Sequence, residues 1–344
     1  MLIYFAMLMV PLALGWAHPR MPRKRYTGLW IYFAVALVFC GLRNEVGADW
    51  MGYSAIYDRY EDTGFGDLLH TSEQGFYFLN IASRELGTGF GGVIFVCAWM
   101  FLYGCFRYAR QTSNPWLAVA VVMPYLVFII SLSGIRQAAA IGVGLYLFAT
   151  WRETGLIKKL ALISLAVLFH SSSAIYLIFI VFGIHGKVVL RVVLAGAILA
   201  FVSTGLNETE VFDKYRNVYI VQNVASDGAF FHVLLTAFPA SLYLLFRKKL
   251  AAAGFYDPNV MLASFLSLLA LPLLSLSSTG IDRLVLHFSF VQMWVYPALL
   301  SAGVANRAML KAGIASIVLA IFFVYFLYGS HSGAYIPYRN VLLS

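Results

Sequence analysis

The chain has 344 residues, 61% of them hydrophobic and 11% charged, with a net charge of +9. Soluble domains carry about 25% charged residues, so the composition excludes disorder, a secreted disulfide scaffold and a soluble nucleic-acid binder. It indicates a single all-α, polytopic membrane domain over residues 1–344, whose positive charge has to be divided between two sides of a bilayer before it carries meaning.

In chain order, apolar runs predict spans at about 2–17, 27–42, 89–106, 115–131, 135–151, 158–170, 172–184, 189–204, 229–246, 259–276, 284–303 and 311–328, about twelve in all. The first run starts at the N-terminus and its basic cluster follows it. A cleaved signal peptide has the reverse order, so residues 2–17 are read as a retained span. Cys40, Cys97 and Cys105 all lie in apolar runs without metal or disulfide spacing and read as small core residues.

Lysine and arginine bias sets the orientation. The loop at 18–26 holds Arg20, Arg23, Lys24 and Arg25 and is placed in the cytoplasm. Alternation from there puts Arg107, Arg110, Arg152, Lys158, Lys159, Lys187, Arg191, Arg247, Lys248, Lys249, Arg307 and Lys311 on the same side. The cytoplasmic face then carries +14 and the outer face −5, with both ends of the chain outside. Residues 160–184 hold no formal charge apart from His170. They read as a hairpin broken at His170-Ser171-Ser172-Ser173; one long helix is the alternative and would invert everything downstream. Arms of about 13 residues reach only about 20 Å. The break is therefore expected below the outer surface of a ~30 Å hydrocarbon core, in a protein-lined cavity.

The outer loop at 43–88 holds eight of the fifteen acids. Trp50, Tyr53, Tyr57 and Tyr60 recur at helical spacing, either as an interfacial helix lying on the bilayer or as an aromatic platform for sugar rings. A second short helix is predicted to start near Thr71, paired with Gln74 as in a capping box. A further outer loop, 205–228, carries Glu208, Glu210, Asp213, Lys214 and Arg216. No internal repeat is visible.

Ionisable residues at membrane depth are costly and are candidates for function. Arg43 ends the second run, Arg136 stands between two runs, Arg283 follows Asp282 at the start of another, and Arg339 lies near the C-terminus. Arginine binds phosphate oxygens bidentately and keeps its charge, so several converging would make a phosphate or pyrophosphate site. The plainer alternative is that each caps a helix end or snorkels to the interface. His170, beside a helix break, is the leading general base, with a satisfied core histidine as the alternative. Asp49 and Glu73 compete for the role, although Asp49 also reads as an N-cap and Glu73 as a first-turn acid favoured by the helix dipole. His70, His185, His232, His287 and His331 have no comparable context.

No G-x-x-x-x-G-K-[ST], H-E-x-x-H or D-x-D occurs, so neither an NTPase nor a zinc protease is supported, and no cofactor or metal is expected. Ser131-Leu132-Ser133-Gly134 is similar to the G-x-S-G of intramembrane serine proteases, with His170 as base, but lacks the first glycine.

Gly41-Leu42-Arg43-Asn44-Glu45-Val46-Gly47-Ala48-Asp49, followed by Tyr53, resembles the R-x-x-x-G-x-D-x-x-x-Y opening of the EpsG family of Wzy-type bacterial polysaccharide polymerases. The usual Asp-Thr pair of that motif reads Asp49-Trp50 here. Glu73-Gln74-Gly75-Phe76 resembles its E-x-G-[YF], Ile135-Arg136-Gln137-Ala138-Ala139-Ala140 its [LI]-R-Q-x-[LIA]-A, and Leu168-Phe169-His170-Ser171-Ser172-Ser173-Ala174 its H-x-S-A region. Asp282-Arg283 and Pro337-Tyr338 also fit, so the resemblance covers about 40–340.

The resemblance implies a multi-pass glycosyltransferase of the bacterial inner membrane with its active site facing the periplasm. It would join oligosaccharide repeat units carried on a polyprenyl pyrophosphate. Arg43, Arg136 and Arg283 would hold the pyrophosphate, while His170, or Asp49 or Glu73, would deprotonate the acceptor. Trp50, Tyr53, Tyr57 and Tyr338 would contact sugars. Its partners would be the lipid-linked oligosaccharide, the bilayer, and a chain-length regulator and flippase of the same pathway, with no nucleic acid. The competing readings are an O-antigen ligase with the same donor, a lipid-linked glycan transporter or flippase, and a multi-pass acyltransferase.

Overall fold

The computed structural model describes residues 1–17, 26–59, 73–183 and 228–342. The apolar runs expected within them are helical, and among the described residues there is no strand, only an isolated bridge between Arg43 and Asn340. The helices are α1 (Leu2–Ala17), α2 (Thr27–Gly41), α3 (Trp50–Arg59), α4 (Gln74–Glu85), α5 (Gly89–Ala109), α6 (Pro115–Val122), α7 (Ile135–Ala149), α8 (Leu156–Phe169) and α9 (Leu177–Gly183). After the next undescribed stretch come α10 (Ala229–Leu245), α11 (Arg247–Ala252), α12 (Pro258–Leu273), α13 (Ser278–Val285), α14 (Phe290–Ala302) and α15 (Arg307–Tyr328). The expected span at 189–204, the loop at 205–227, the basic loop at 18–25, Tyr60 and Thr71 lie outside the described residues.

The chain is a helical membrane protein. Among the described residues two helices, α5 and α15, are long and apolar enough to cross a membrane, and α13 with α14 makes a third if that pair, bent by 49°, is one span. This pair replaces the straight run expected at 284–303. A Ser277 cap starts α13 earlier, its Oγ accepting from Gly280 N–H at 3.2 Å, and a 3-10 turn at Leu286–Phe288 separates α13 from α14. Among the described residues the shorter apolar stretches, counting α6 with the π-helix that follows it and α9 with the 3-10 turn before it, have 10–17 residues, about 15–25 Å at ~1.5 Å per residue against a ~30 Å hydrocarbon core.

The core is centred on α6, buried along its whole length and packed by α1, α5, α14 and α15. Asn114 starts it, accepting from Leu117 N–H at 3.1 Å and donating to the Gly15 carbonyl of α1 at 2.8 Å. Pro115 occupies the first turn, where a missing N–H costs nothing. Pro124 comes next; it has no N–H for Ala120 and its ring crowds that carbonyl. The helix widens there into a π-helix over Met123–Ile130 and ends at Ser131-Leu132-Ser133-Gly134. Beside it, α5 and α7 touch backbone to backbone: a Cβ on Gly104 would stand 1.9 Å from the Gly142 carbonyl oxygen.

One side of the bundle is capped by the loop after α2 and the tail after α15. Gly47 donates to the Ala334 carbonyl at 2.9 Å, Asn44 to that of Arg339 at 3.1 Å, and Val341 to that of Leu42 at 2.9 Å. Gly47 has φ +116°, and a Cβ there would collide with the Leu132 carbonyl at 2.0 Å, so only glycine lets the loop rest on the break before α7.

Candidate active site

Five chain segments end at one cluster: the N-terminal turn of α7, the residue before α4, α3, the junction after α8, and the α13–α14 bend. Arg136, second residue of α7, forms an ion pair with Glu73, with side-chain exposures of 32% and 12%. Its Nε donates to the Tyr53 hydroxyl at 3.4 Å, and its guanidinium lies 5.3 Å from the Tyr53 ring centroid and 5.6 Å from that of Phe76. Glu73 also accepts from the Ser171 backbone N–H and lies within electrostatic reach of Arg283. Burial pushes the Glu73 carboxyl above the usual carboxylate range, while Arg136 and Arg283 pull it back.

Glu73 is held at φ 59°, ψ 51°, just outside α4 rather than in its first turn. A left-handed side-chain-bearing residue costs about 1–2 kcal/mol, and the pairing with Arg136 and Ser171 holds it there. Gly75 explains why α4 can start so close to α8: a Cβ there would meet Leu168 Cβ at 3.0 Å and the Leu168 carbonyl oxygen at 3.1 Å.

The chain breaks at His170, as expected. It is extended (φ −155°, ψ 121°), so 158–184 is not one continuous helix, and a 3-10 turn, Ser171–Tyr176, follows. The break builds a relay: His170 Nδ1 lies 2.6 Å from Ser172 Oγ, Ser172 Oγ 2.7 Å from His287 Nε2, and His287 Nδ1 2.8 Å from the Tyr176 hydroxyl. With His287 donating to Tyr176, Ser172 donates to His287 and accepts from His170 Nδ1–H, leaving the His170 Nε2 lone pair to take a proton. Reversed, the relay makes His170 Nε2 a donor. Gln137 Nε2 donates to the Arg283 carbonyl at 2.8 Å, tying α7 to α13. On the far side of α13, Asp282 meets His232 Nδ1 at 3.1 Å, and His232 stacks on Tyr125 of the π-helix at 4.6 Å.

The other candidates are placed differently. Arg43 is buried and donates to the carbonyls of Val46 (3.0 Å), Cys40 (2.6 Å) and Leu132 (3.0 Å), which makes it a brace between α2, its following loop and the break before α7. Arg339 pairs with Glu45 on the surface. Tyr338 stacks on Phe39 at 4.6 Å and donates to the Phe39 carbonyl at 2.6 Å. Trp50 and Tyr57 lean on Phe90, with centroids 5.2 and 5.9 Å away, so the α3 stripe turns inward while Met51 faces out. Within the stripe, Tyr53 is the residue whose hydroxyl and ring meet Arg136. Asp49 is exposed just before α3, and its carbonyl accepts from Tyr53 N–H at 3.0 Å.

The serines of the protease-like motif are occupied elsewhere. Ser131 Oγ donates to Val127 at 2.6 Å, while Ser133 Oγ bonds the Tyr335 hydroxyl at 2.5 Å and accepts from Ala48 N–H at 2.8 Å. Cys40, Cys97 and Cys105 are buried and free. Among the described residues no three His, Cys, Asp or Glu side chains group as metal ligands.

Ser172, His287 and Tyr176 were missed as site residues by the sequence. Two spacings pointed to them: His287 stands four residues after Arg283 on the same helical line, and Ser172 lies in the serine run beside His170.

The model of the EpsG family matches residues 27–340. The chain belongs to the EpsG family. EpsG is a Wzy-like polysaccharide polymerase family, and the match runs from the start of α2 through the tail, covering every residue of the cluster. No curated protein and no solved structure matches the chain. Within this EpsG protein the motif glycines have a steric reading: Gly47 seats the first loop on the break before α7, and Gly75 seats α4 on α8.

Proposed function

We propose that this EpsG protein polymerises oligosaccharide repeat units linked to a polyprenyl pyrophosphate, at the periplasmic face of the bacterial inner membrane. The observation that carries the reading is the meeting of Arg136, Glu73 and the His170–Ser172–His287 relay at the ends of membrane helices. In this reading the short helices also span, giving about twelve crossings, with the cluster on the less basic side.

His170 Nε2 takes the proton of the acceptor hydroxyl. The oxygen attacks the anomeric carbon of the donor sugar, the bond from that carbon to the phosphate oxygen breaks, and the electron pair leaves on the lipid pyrophosphate. Attack opposite the leaving group inverts the anomeric centre. Arg136 and Arg283 stabilise the charge that develops on the leaving group. Glu73 positions Arg136 between turnovers and is the alternative base, with Asp49 the third candidate. Tyr53 and the partly exposed Trp50 flank the sugar path, and Arg43 and Tyr338 act by bracing the outer cap.

The test is incubation of the purified, reconstituted protein with lipid-linked repeat units. A ladder of longer glycans is expected. Translocation without lengthening assigns a flippase and overturns the reading, and transfer only to a lipid A-core acceptor assigns a ligase.

A further inference from the structure

Beside the charged cluster lies a cavity of about 740 Å³, walled by α4, α5, α7 and α8. Its lining is apolar and aromatic, with Trp99 and Tyr103 from α5, Val143 from α7, and Leu165 and Phe169 from α8. Trp99 is 45% and Leu165 39% exposed, so the cavity is a groove open to the side. The contact of α5 and α7 at Gly104 and Gly142 sets its depth: a Cβ on Gly142, which lies in the lining, would stand 2.3 Å from the Met100 carbonyl oxygen.

The groove joins the charged site through consecutive residues. Gln74 and Gly75 line it directly after Glu73, and Leu168 and Phe169 line it directly before His170. On α7, Val143 and Tyr146 follow Arg136 by seven and ten residues, about 10 and 15 Å along the axis at ~1.5 Å per residue. A ligand with its head at Arg136 and its tail in the groove is therefore amphipathic, with an anionic head and a tail at least 15 Å long. The ring-lined wall suits a branched, unsaturated chain, which packs methyl groups against aromatic faces.

Resting on the proposed substrate class, we infer that the groove between α4, α5, α7 and α8 seats the first isoprene units of the polyprenyl pyrophosphate. The rest of the chain continues into the bilayer. The groove also gives the enzyme a register: seating the tail fixes how far the pyrophosphate protrudes towards Arg136 and the His170 relay.

The test uses the full chain in lipid nanodiscs and a polyprenyl pyrophosphate bearing a photoreactive group near its pyrophosphate end, with no acceptor present. Cross-links are expected on α5, α7 and α8 around Trp99, Val143 and Leu165. They should be displaced by unlabelled polyprenyl pyrophosphate and by an isoprenyl pyrophosphate of three units, which carries the same head and first units, and not by phosphatidylglycerol. Val143→Trp fills the groove from the buried side and Leu165→Trp from the exposed side, where folding is insensitive. Each should weaken binding about tenfold, the loss of a few buried methylene-sized contacts. Equal displacement by phosphatidylglycerol makes the groove a seat for bulk lipid and overturns the inference, as does wild-type affinity in the folded Leu165→Trp protein. Binding in the groove without any glycan ladder leaves the inference standing and removes the polymerase reading. A normal ladder from a protein with a filled groove does the reverse.

Discussion

Two described glutamates stand in the left-handed region, Glu45 at φ 52° and Glu73 at φ 59°, and each is paired with an arginine. Their surroundings are opposite. Glu45 and Arg339 are 55% and 56% exposed, while Glu73 and Arg136 are 12% and 32% exposed. An exposed pair is screened by water and contributes about 0–1 kcal/mol. A pair withdrawn from water is strongly coupled, so removing one partner leaves the other desolvated and uncompensated. The same local chemistry thus serves as a surface clasp at the cap and as a poised charge pair inside the cluster.

The contrast can be broken or sharpened by substitution. The largest effect is expected at His170, where His170→Ala should lower the elongation rate by about 10²–10⁴-fold while lipid-linked donor still binds. His170→Gln keeps a donor near the Nε2 position but cannot take a proton, so a dead Gln variant supports the base and an active one assigns a donor role. Arg136→Ala should cost about 10²–10³-fold in rate, and a melting curve should show a loss larger than any at the surface pair. Unimpaired chain growth in folded Arg136→Ala would equate the two pairs and remove the arginine cradle. Ser172→Ala should lower the rate about 10–100-fold, since it removes both hydrogen bonds at the middle of the relay, without altering donor affinity. Gly75→Ala should destabilise the fold by about 1–3 kcal/mol through overpacking against Leu168. Smallest of all, Arg339→Ala should change stability by less than about 0.5 kcal/mol and leave elongation unchanged.

Much of the fold was legible in the sequence because membrane helices are written as apolar runs, and the breaks at 131–134 and His170 as polar or serine-rich interruptions. Crossing length was less legible: a run of apolar residues does not say where a cap or a Pro124 will shorten or widen the helix. Arg43 and Arg136 look alike as arginines at the ends of apolar runs. The carbonyls of Cys40, Val46 and, 89 residues on, Leu132 enclose Arg43, whereas a carboxylate 63 residues earlier meets Arg136. The α3 stripe was visible, but not its facing, since Phe90 lies beyond α4. The link from Ser172 to His287 crosses 115 residues, and no local pattern encodes a contact at that range.

The cap made by the loop after α2 and the tail after α15 is completed late in synthesis. Ser133, at the break that aims α7 and Arg136, is bonded to Tyr335, 202 residues further along, and Tyr4 of α1 donates to the Tyr335 carbonyl across 331 residues. Closing so long a loop is slow and comes late. A ribosome that has released every helix through α15 has therefore still not delivered the clamp over that break. The turn that carries Arg136 is thus among the last parts of the described bundle to be fastened.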